Sequence, residues 1–199
     1  MNGWELAGVV TALLGVWLTT RENRWCWPVN LVSALLFGVV FWQAKLYADM
    51  GLQGVYAALS VYGWYAWAHR TEEGDVLHVS RAPWVVLALF GAAGLAFAAA
   101  LGWFLAHRTD ASLPFWDAGT TSFSLVAQAL QTRKWIENWA LWIVVDAVYV
   151  GVYLVKALPL TAALYGLFIA LAALGHVSWR RSLAASAGPG KLRPHSPQA

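Results

Sequence analysis

The chain has 199 residues, 60% of them hydrophobic and only 12% charged, with a mean hydropathy of +0.55 and a formal net charge of +3. A soluble domain averages about 25% charged residues, so the composition excludes a free-standing soluble fold and describes an all-α integral membrane protein, multi-pass in the cell's inner (plasma) membrane. The basic residues lie in short loops and the tail, without the stripe a nucleic-acid groove needs, and the lone Cys26 excludes an internal disulfide or a cysteine-based metal cluster.

Seven apolar runs have the length needed to cross a hydrocarbon core of about 30 Å. In chain order they are 4–20, 25–43, 51–68, 83–106, 114–131, 135–155 and 158–177. The first has no basic residues before it and reads as a retained helix rather than a cleaved signal. Pro28, Pro83, Pro114 and Pro159 stand near four of the starts, where a missing N–H costs least. The fourth run carries Gly94, Ala98 and Gly102, a small-residue ridge suited to close helix contact, either inside the bundle or against another subunit.

The fifth and sixth runs carry the candidate chemistry. Asp117, Thr121, Ser124, Gln128 and Gln131 recur at spacings of four, three, four and three, so all five share one helical face. A polar stripe cannot face lipid, which points to protein or a water-filled path. In the sixth run Asn138, Trp142, Asp146, Tyr149 and Tyr153 share a face, flanked by Trp139. Asp146 lies about halfway across, where an aspartate costs on the order of 3 kcal/mol on insertion scales, so it is expected to face solvent or ligand, the alternative being a protonated acid bound to a neighbouring hydroxyl. An indole wall beside a carboxylate suits a flat cationic ring. Most other tryptophans, among them Trp4, Trp84, Trp103 and Trp179, lie near run ends and fit an interfacial belt. The tail at 180–199, rich in Gly, Pro, Ser and Ala, is expected to be disordered and cytoplasmic.

Sliding the chain by 112 residues gives 15 identities in 64 gapless pairs, residues 4–67 against 116–179. Chance in this composition gives about six, so the runs form two three-helix repeats. The organisation is a first repeat at 1–69, a loop and connector helix at 70–113, a second repeat at 114–179 and the tail. One connecting span gives both repeats the same membrane orientation, with an axis along the bilayer normal and a site between the halves. Asn30 is the counterpart of Trp142, and Ala34 of Asp146, so the site is weighted toward the second repeat. Ten of the thirteen Lys and Arg fall on the side of the tail, which places the N-terminus outside and the C-terminus in the cytoplasm.

The segments LYADMGLQGVYAALSVYGWYAW (46–67) and PFWDAGTTSFSLVAQALQTRKWIENWALWIVVD (114–146), with the seven-run layout, resemble the PnuC family of vitamin transporters. The likeness covers residues 4 to about 180, and the ENWALW run at 137–142 is its most specific part. It implies a SWEET-like arrangement of three, one and three helices, homotrimers, and uptake of nicotinamide riboside by facilitated diffusion with trapping by cytoplasmic phosphorylation. It also implies that Trp139 and Trp142 form the substrate-binding W-x-x-W motif. The expected site is Trp139, Trp142, Asn138, Asp146, Gln128, Ser124, Thr121, Tyr149 and Asn30, with no cofactor or metal. Family members that carry nicotinamide riboside often have Asn where this chain has Asp146. That leaves thiamine, riboflavin or a nucleoside as alternative cargo, and proton coupling as an alternative mode.

Rival classes have little to stand on. No phosphate-binding G-x-x-x-x-G-K-[ST] run is present, so an ATP-driven pump is not indicated. A membrane enzyme is a remote reading, because His69, His78, His107, His176 and His195 are dispersed and no G-x-S-x-G elbow occurs.

Overall fold

A computed structural model of the chain describes residues 3–43, 47–69, 77–109, 112–155, 157 and 159–186. Seven helices follow one another: α1 Gly3–Thr20, α2 Cys26–Gln43, α3 Tyr47–Ala68, α4 Trp84–Arg108, α5 Pro114–Thr132, α6 Glu137–Val155 and α7 Pro159–Ser186. Pro114 and Pro159 open their helices, where the ring supplies a helical φ and the absent N–H has no partner to lose. Five of the seven are long and apolar enough to cross a membrane by themselves. The other two, α3 and α5, fall short because they carry polar faces that turn inward.

One boundary departs from expectation. The tail was expected to begin at residue 180, yet α7 continues to Ser186. Residues 180–186, RRSLAAS, are mostly good helix formers, and the first glycine comes only at 188, so nothing stops the helix earlier. The rest of the tail lies outside the described residues.

The core gathers where the α1–α2 and α5–α6 turns lie side by side. The two turns are built alike. The N–H groups of Arg21, Glu22 and Asn23 donate to the carbonyls of Leu18, Thr19 and Leu18, at 3.1, 3.0 and 3.1 Å. Those of Arg133, Lys134 and Trp135 donate to Leu130, Gln131 and Leu130, at 3.2, 3.0 and 3.2 Å. Glu22 and Lys134, 112 positions apart, both take left-handed backbone conformations, with φ of 53° and 51°. That conformation costs a residue with a Cβ about 1 kcal/mol, which the turn hydrogen bonds offset.

Four indoles fill the space beneath. Trp27 lies on Gly63 and meets the edge of Trp67, with centroids 5.4 Å apart; Trp139 lies on Gly175 and meets the edge of Trp179 at 5.3 Å. Trp67 and Trp179 then touch each other at 6.0 Å. The Trp67 indole N–H donates to the carbonyl of Thr132 at 3.1 Å, and the Trp179 indole N–H donates to that of Thr19 at 3.0 Å. Trp179 therefore corrects its assignment to the interfacial belt: it is fully buried, because its N–H has a partner only inside. Trp4, Trp84 and Trp103 are exposed, as a belt requires.

A partly buried ion pair crosses the same seam. Lys134 Nζ lies 3.6 Å from Glu22 Oε2 and 4.6 Å from the Trp67 ring centroid. Burial pushes the Lys134 ammonium below the ordinary lysine value, and the Glu22 carboxylate pulls it back up.

Between α3 and α4 the chain is stitched to the α5–α6 turn. Ser80 N–H donates to Lys134 O at 3.1 Å, Ile136 N–H donates to Ser80 O at 3.0 Å, and Ala82 N–H reaches Glu137 Oε2 at 3.0 Å. The small residues of α4 pack on α5: a Cβ on Gly94 would meet Phe123 and Val126, and one on Gly102 would meet Phe115. The Ser122 hydroxyl donates to Gly94 O at 2.7 Å. The ridge thus serves contact within the chain.

The glycines under the indoles give a sharp contrast. A Cβ built on Gly63 or Gly175 would stand 2.5 Å from the Trp27 or Trp139 ring, whereas Gly54 and Gly166 have nothing within 4 Å. Gly63→Ala and Gly175→Ala should destabilise the protein by about 1–3 kcal/mol through overpacking. Gly54→Ala and Gly166→Ala should be neutral or stabilising by up to about 1 kcal/mol, the usual helical preference. Thermal unfolding in detergent reads the difference, and equal shifts for the two pairs would overturn this packing account.

Candidate functional site

Six helices, all but α4, enclose a cavity of about 330 Å³. Each contributes residues spaced three or four apart, since only those share a helical face. From α1 come Ala12, Val16 and Thr19; from α5, Ser124, Gln128 and Gln131, which are their 112-residue counterparts. The pairing continues through Asn30 with Trp142, Ala34 with Asp146, Phe37 with Tyr149 and Phe41 with Tyr153. On α3 and α7 it joins Gln53 with Tyr165, Tyr56 with Phe168 and Ser60 with Ala172. Matching backbone positions thus carry different chemistry.

The difference sorts the walls. From α3, α5 and α6, hydroxyls, amides and the Asp146 carboxyl face the cavity. Opposite, α1, α2 and α7 offer mainly Ala, Val and Phe. Toward the end away from the turns the lining is aromatic: Tyr149 and Tyr165 have centroids 4.5 Å apart, Tyr153 and Tyr165 5.3 Å, and Phe37 and Phe41 6.1 Å.

Seven of the nine expected site residues meet here: Asn30, Ser124, Gln128, Trp139, Trp142, Asp146 and Tyr149. They do not all play one part. Trp142 is half-buried, and its indole N–H donates to Gln131 Oε1 at 3.2 Å, which fixes the plane of the ring. Trp139 touches the cavity at its floor but is 1% exposed and braced on Gly175, so it is chiefly a support. Asp146 is 5% exposed, and among the described residues the lining contains no Lys, Arg or His.

Thr121 and Asn138 stand apart from the cavity. Asn138 sits in the first turn of α6 and is fully buried, with its amide donating to Trp135 O at 2.6 Å, so it closes the turn rather than facing ligand. Thr121 is about one turn short of Ser124 on α5, beyond the part of the stripe that reaches the lining. Sequence reasoning missed Gln53, Tyr56 and Ser60 on α3. Their spacing of three and four was the available signal, diluted by the apolar residues around them.

Asn30 owes its place to a glycine. A Cβ on Gly15 would collide with the Asn30 amide, so only bare α1 backbone lets that side chain approach.

A family profile described as "Nicotinamide mononucleotide transporter" matches residues 2–181. The nicotinamide riboside transporter PnuC of Escherichia coli (strain K12) is 27% identical over 203 residues, covering 89% of this chain and 85% of the relative. The riboflavin/roseoflavin transporter RibM of Streptomyces davaonensis is 29% identical over 179 residues, covering 88% and 83%. Among solved structures, the crystal structure of the vitamin B3 transporter PnuC superposes with a TM-score of 0.72 at 25% identity, covering 90% of this chain and 81% of that one.

The Gly15–Asn30 contact can be tested without any ligand. Gly15→Ala should lower the unfolding midpoint, and adding Asn30→Ala should recover part of the loss. The coupling expected for two side chains in contact is about 0.5–3 kcal/mol. Additive effects in the double-mutant cycle would show that the two residues do not share the space.

Proposed function

The chain belongs to the PnuC family of vitamin transporters, and on that premise we propose that it takes up nicotinamide riboside through its central cavity. The observation that carries this reading is the presence of one embedded carboxylate, Asp146, and the Trp142 indole in one cavity whose described lining has no basic side chain. A pyridinium ring finds charge attraction from the carboxylate and cation–π attraction of about 0.5–2 kcal/mol from the indole. Ser124, Gln128, Gln53 and Tyr56 offer the hydroxyls and amides that ribose hydroxyls need. A phosphate would bring about −1.5 to −2 charges next to Asp146 with no cation to receive them. The riboside therefore suits the cavity better than the mononucleotide of the family's description, and phosphorylation in the cytoplasm would trap it.

Facilitated diffusion fits a cavity whose described lining contains a single acid, since a proton relay needs a partner. The ten-to-three distribution of Lys and Arg supports an external N-terminus and a cytoplasmic end for the α1–α2 and α5–α6 turns. The matching turns and indole pairs support two parallel three-helix repeats about an axis along the membrane normal, the SWEET-like plan, and the family resemblance favours trimers.

The riboflavin carrier among the relatives gives the second reading a specific basis, because a flavin is flat and neutral. Two substitutions separate the readings. Trp142→Ala should weaken nicotinamide riboside binding by about 10-fold or more, given about 1–3 kcal/mol per stacked ring, while Trp84→Ala leaves it nearly intact. Calorimetric titration checks this, and equal effects would return Trp142 to a packing role.

Asp146→Asn keeps the shape and removes the charge. Binding of nicotinamide riboside should fall by about 10-fold, the value of a 1.4 kcal/mol charge contact, while riboflavin or a neutral nucleoside is little changed or favoured. If Asp146 carried protons instead, binding would survive and accumulation driven by a proton gradient in liposomes would be lost. Unchanged affinity for the cation would sink charge recognition.

A further inference from the structure

The cavity has one sealed end, where Thr19, Gln131 and the floor of Trp139 meet the indole cluster. Three contacts at that seal join one half of the chain to the other: Trp67 to Thr132, Trp179 to Thr19, and Lys134 to Glu22. Cargo released at this end must part these contacts. The two turns that carry them are alike in backbone but not in support. Ser80 and Ala82 stitch the α5–α6 turn through three hydrogen bonds, and Val79 is buried in the indole cluster behind it. On the α1–α2 turn, Asn23, Arg24 and Trp25 are exposed, and the ring contacts of Trp25 and Arg24, at 5.2 and 5.7 Å, go to Trp64 of the same half.

We propose that Glu22 and Lys134 form the latch of the sealed end, and that it opens by movement of the α1–α2 turn away from a stationary α5–α6 turn. The ion pair joins the tips of the two turns, so it must break whenever the tips separate. Its position over Trp67 places the charge contact on the same path as the crossed indole bonds. A bond at the tip can be broken and remade by solvent, because Glu22 is 24% exposed at the side chain, whereas the indole contacts beneath are dry. Lys134 stays with the strapped half and Glu22 leaves with the free one. This inference rests on the transport reading but not on the identity of the cargo.

The chain carries its own reporter. Cys26 is its single cysteine, fully buried in the indole cluster behind the latch, and it does not line the cavity. In the reconstituted full-length protein, labelling of Cys26 by a membrane-impermeant maleimide should be slow. Glu22→Gln and Lys134→Gln should each raise the rate about 5-fold or more, the effect of losing a partly buried ion pair. The exchanged pair Glu22→Lys with Lys134→Glu should return it toward the starting value, and Arg24→Gln, which removes a charge from the same turn, should not change it. Equal labelling in all variants, or no recovery in the exchanged pair, overturns the latch. The unsubstituted protein supplies a second measurement: amide hydrogen exchange at Glu22 and Asn23 should be faster than at their counterparts Lys134 and Trp135. Equal or slower exchange overturns the assignment of the moving side. Neither measurement uses a substrate, so both stand if nicotinamide riboside proves to be the wrong cargo.

Discussion

Two crossed hydrogen bonds link the halves of this protein at its core, and each half donates one. An α-helix ends with carbonyls that have no partner of their own, and inside a membrane water cannot supply one. The last turn of α1 presents Thr19 O and that of α5 presents Thr132 O, and each receives an indole N–H from a helix of the opposite half. The exchange is reciprocal, and Thr19 O takes the Trp179 N–H in addition to that of Glu22. The indoles reach these positions only because Trp27 and Trp139 press against Gly63 and Gly175, bringing the helices close enough. The sealed floor, the ion pair over it and the cavity above it all inherit their geometry from this exchange.

The cavity follows from the same pairing of halves, but its chemistry does not. Equivalent helix faces converge on one space, so equivalent positions line it from both sides. Ala34 against Asp146 and Val16 against Gln128 then give that space one wet wall and one dry wall. Matched walls would accept a ligand facing either way. The unequal walls favour one, because a polar group turned toward Phe37 and Phe168 would forfeit its hydrogen bonds.

How much of this was legible in the sequence depended on periodicity. The seven helices, the polar face of α5 and the carboxylate of α6 stand out against apolar surroundings; the helices lie where the spacing put them, and Ser124, Gln128, Gln131 and Asp146 line the cavity while Asp117 and Thr121 do not. Asn138 shared a helical face with Trp142 and Asp146, yet a face says nothing of depth, and the first turn of α6 lies below the cavity floor. The α3 contribution was hidden for the opposite reason. Gln53, Tyr56 and Ser60 form a face too mixed to register, and only packing of α3 against α5 joins them to the polar wall. Trp179 looked like a belt residue because it is near the end of an apolar run; α7 continues past it to Ser186, and its N–H goes to Thr19 O of the other half rather than to lipid headgroups.

The indole cluster has an optical consequence as well. Trp27, Trp67, Trp179 and Trp139 form a chain with successive centroid separations of 5.4, 6.0 and 5.3 Å and interplanar angles of 89°, 52° and 83°. Strong transition dipoles at such separations, held at large angles in an asymmetric frame, couple as excitons and give paired circular dichroism bands of opposite sign. The middle link, Trp67 with Trp179, exists only while the halves meet. The same contact that seals the floor therefore makes its integrity visible in the ultraviolet spectrum, without any added probe.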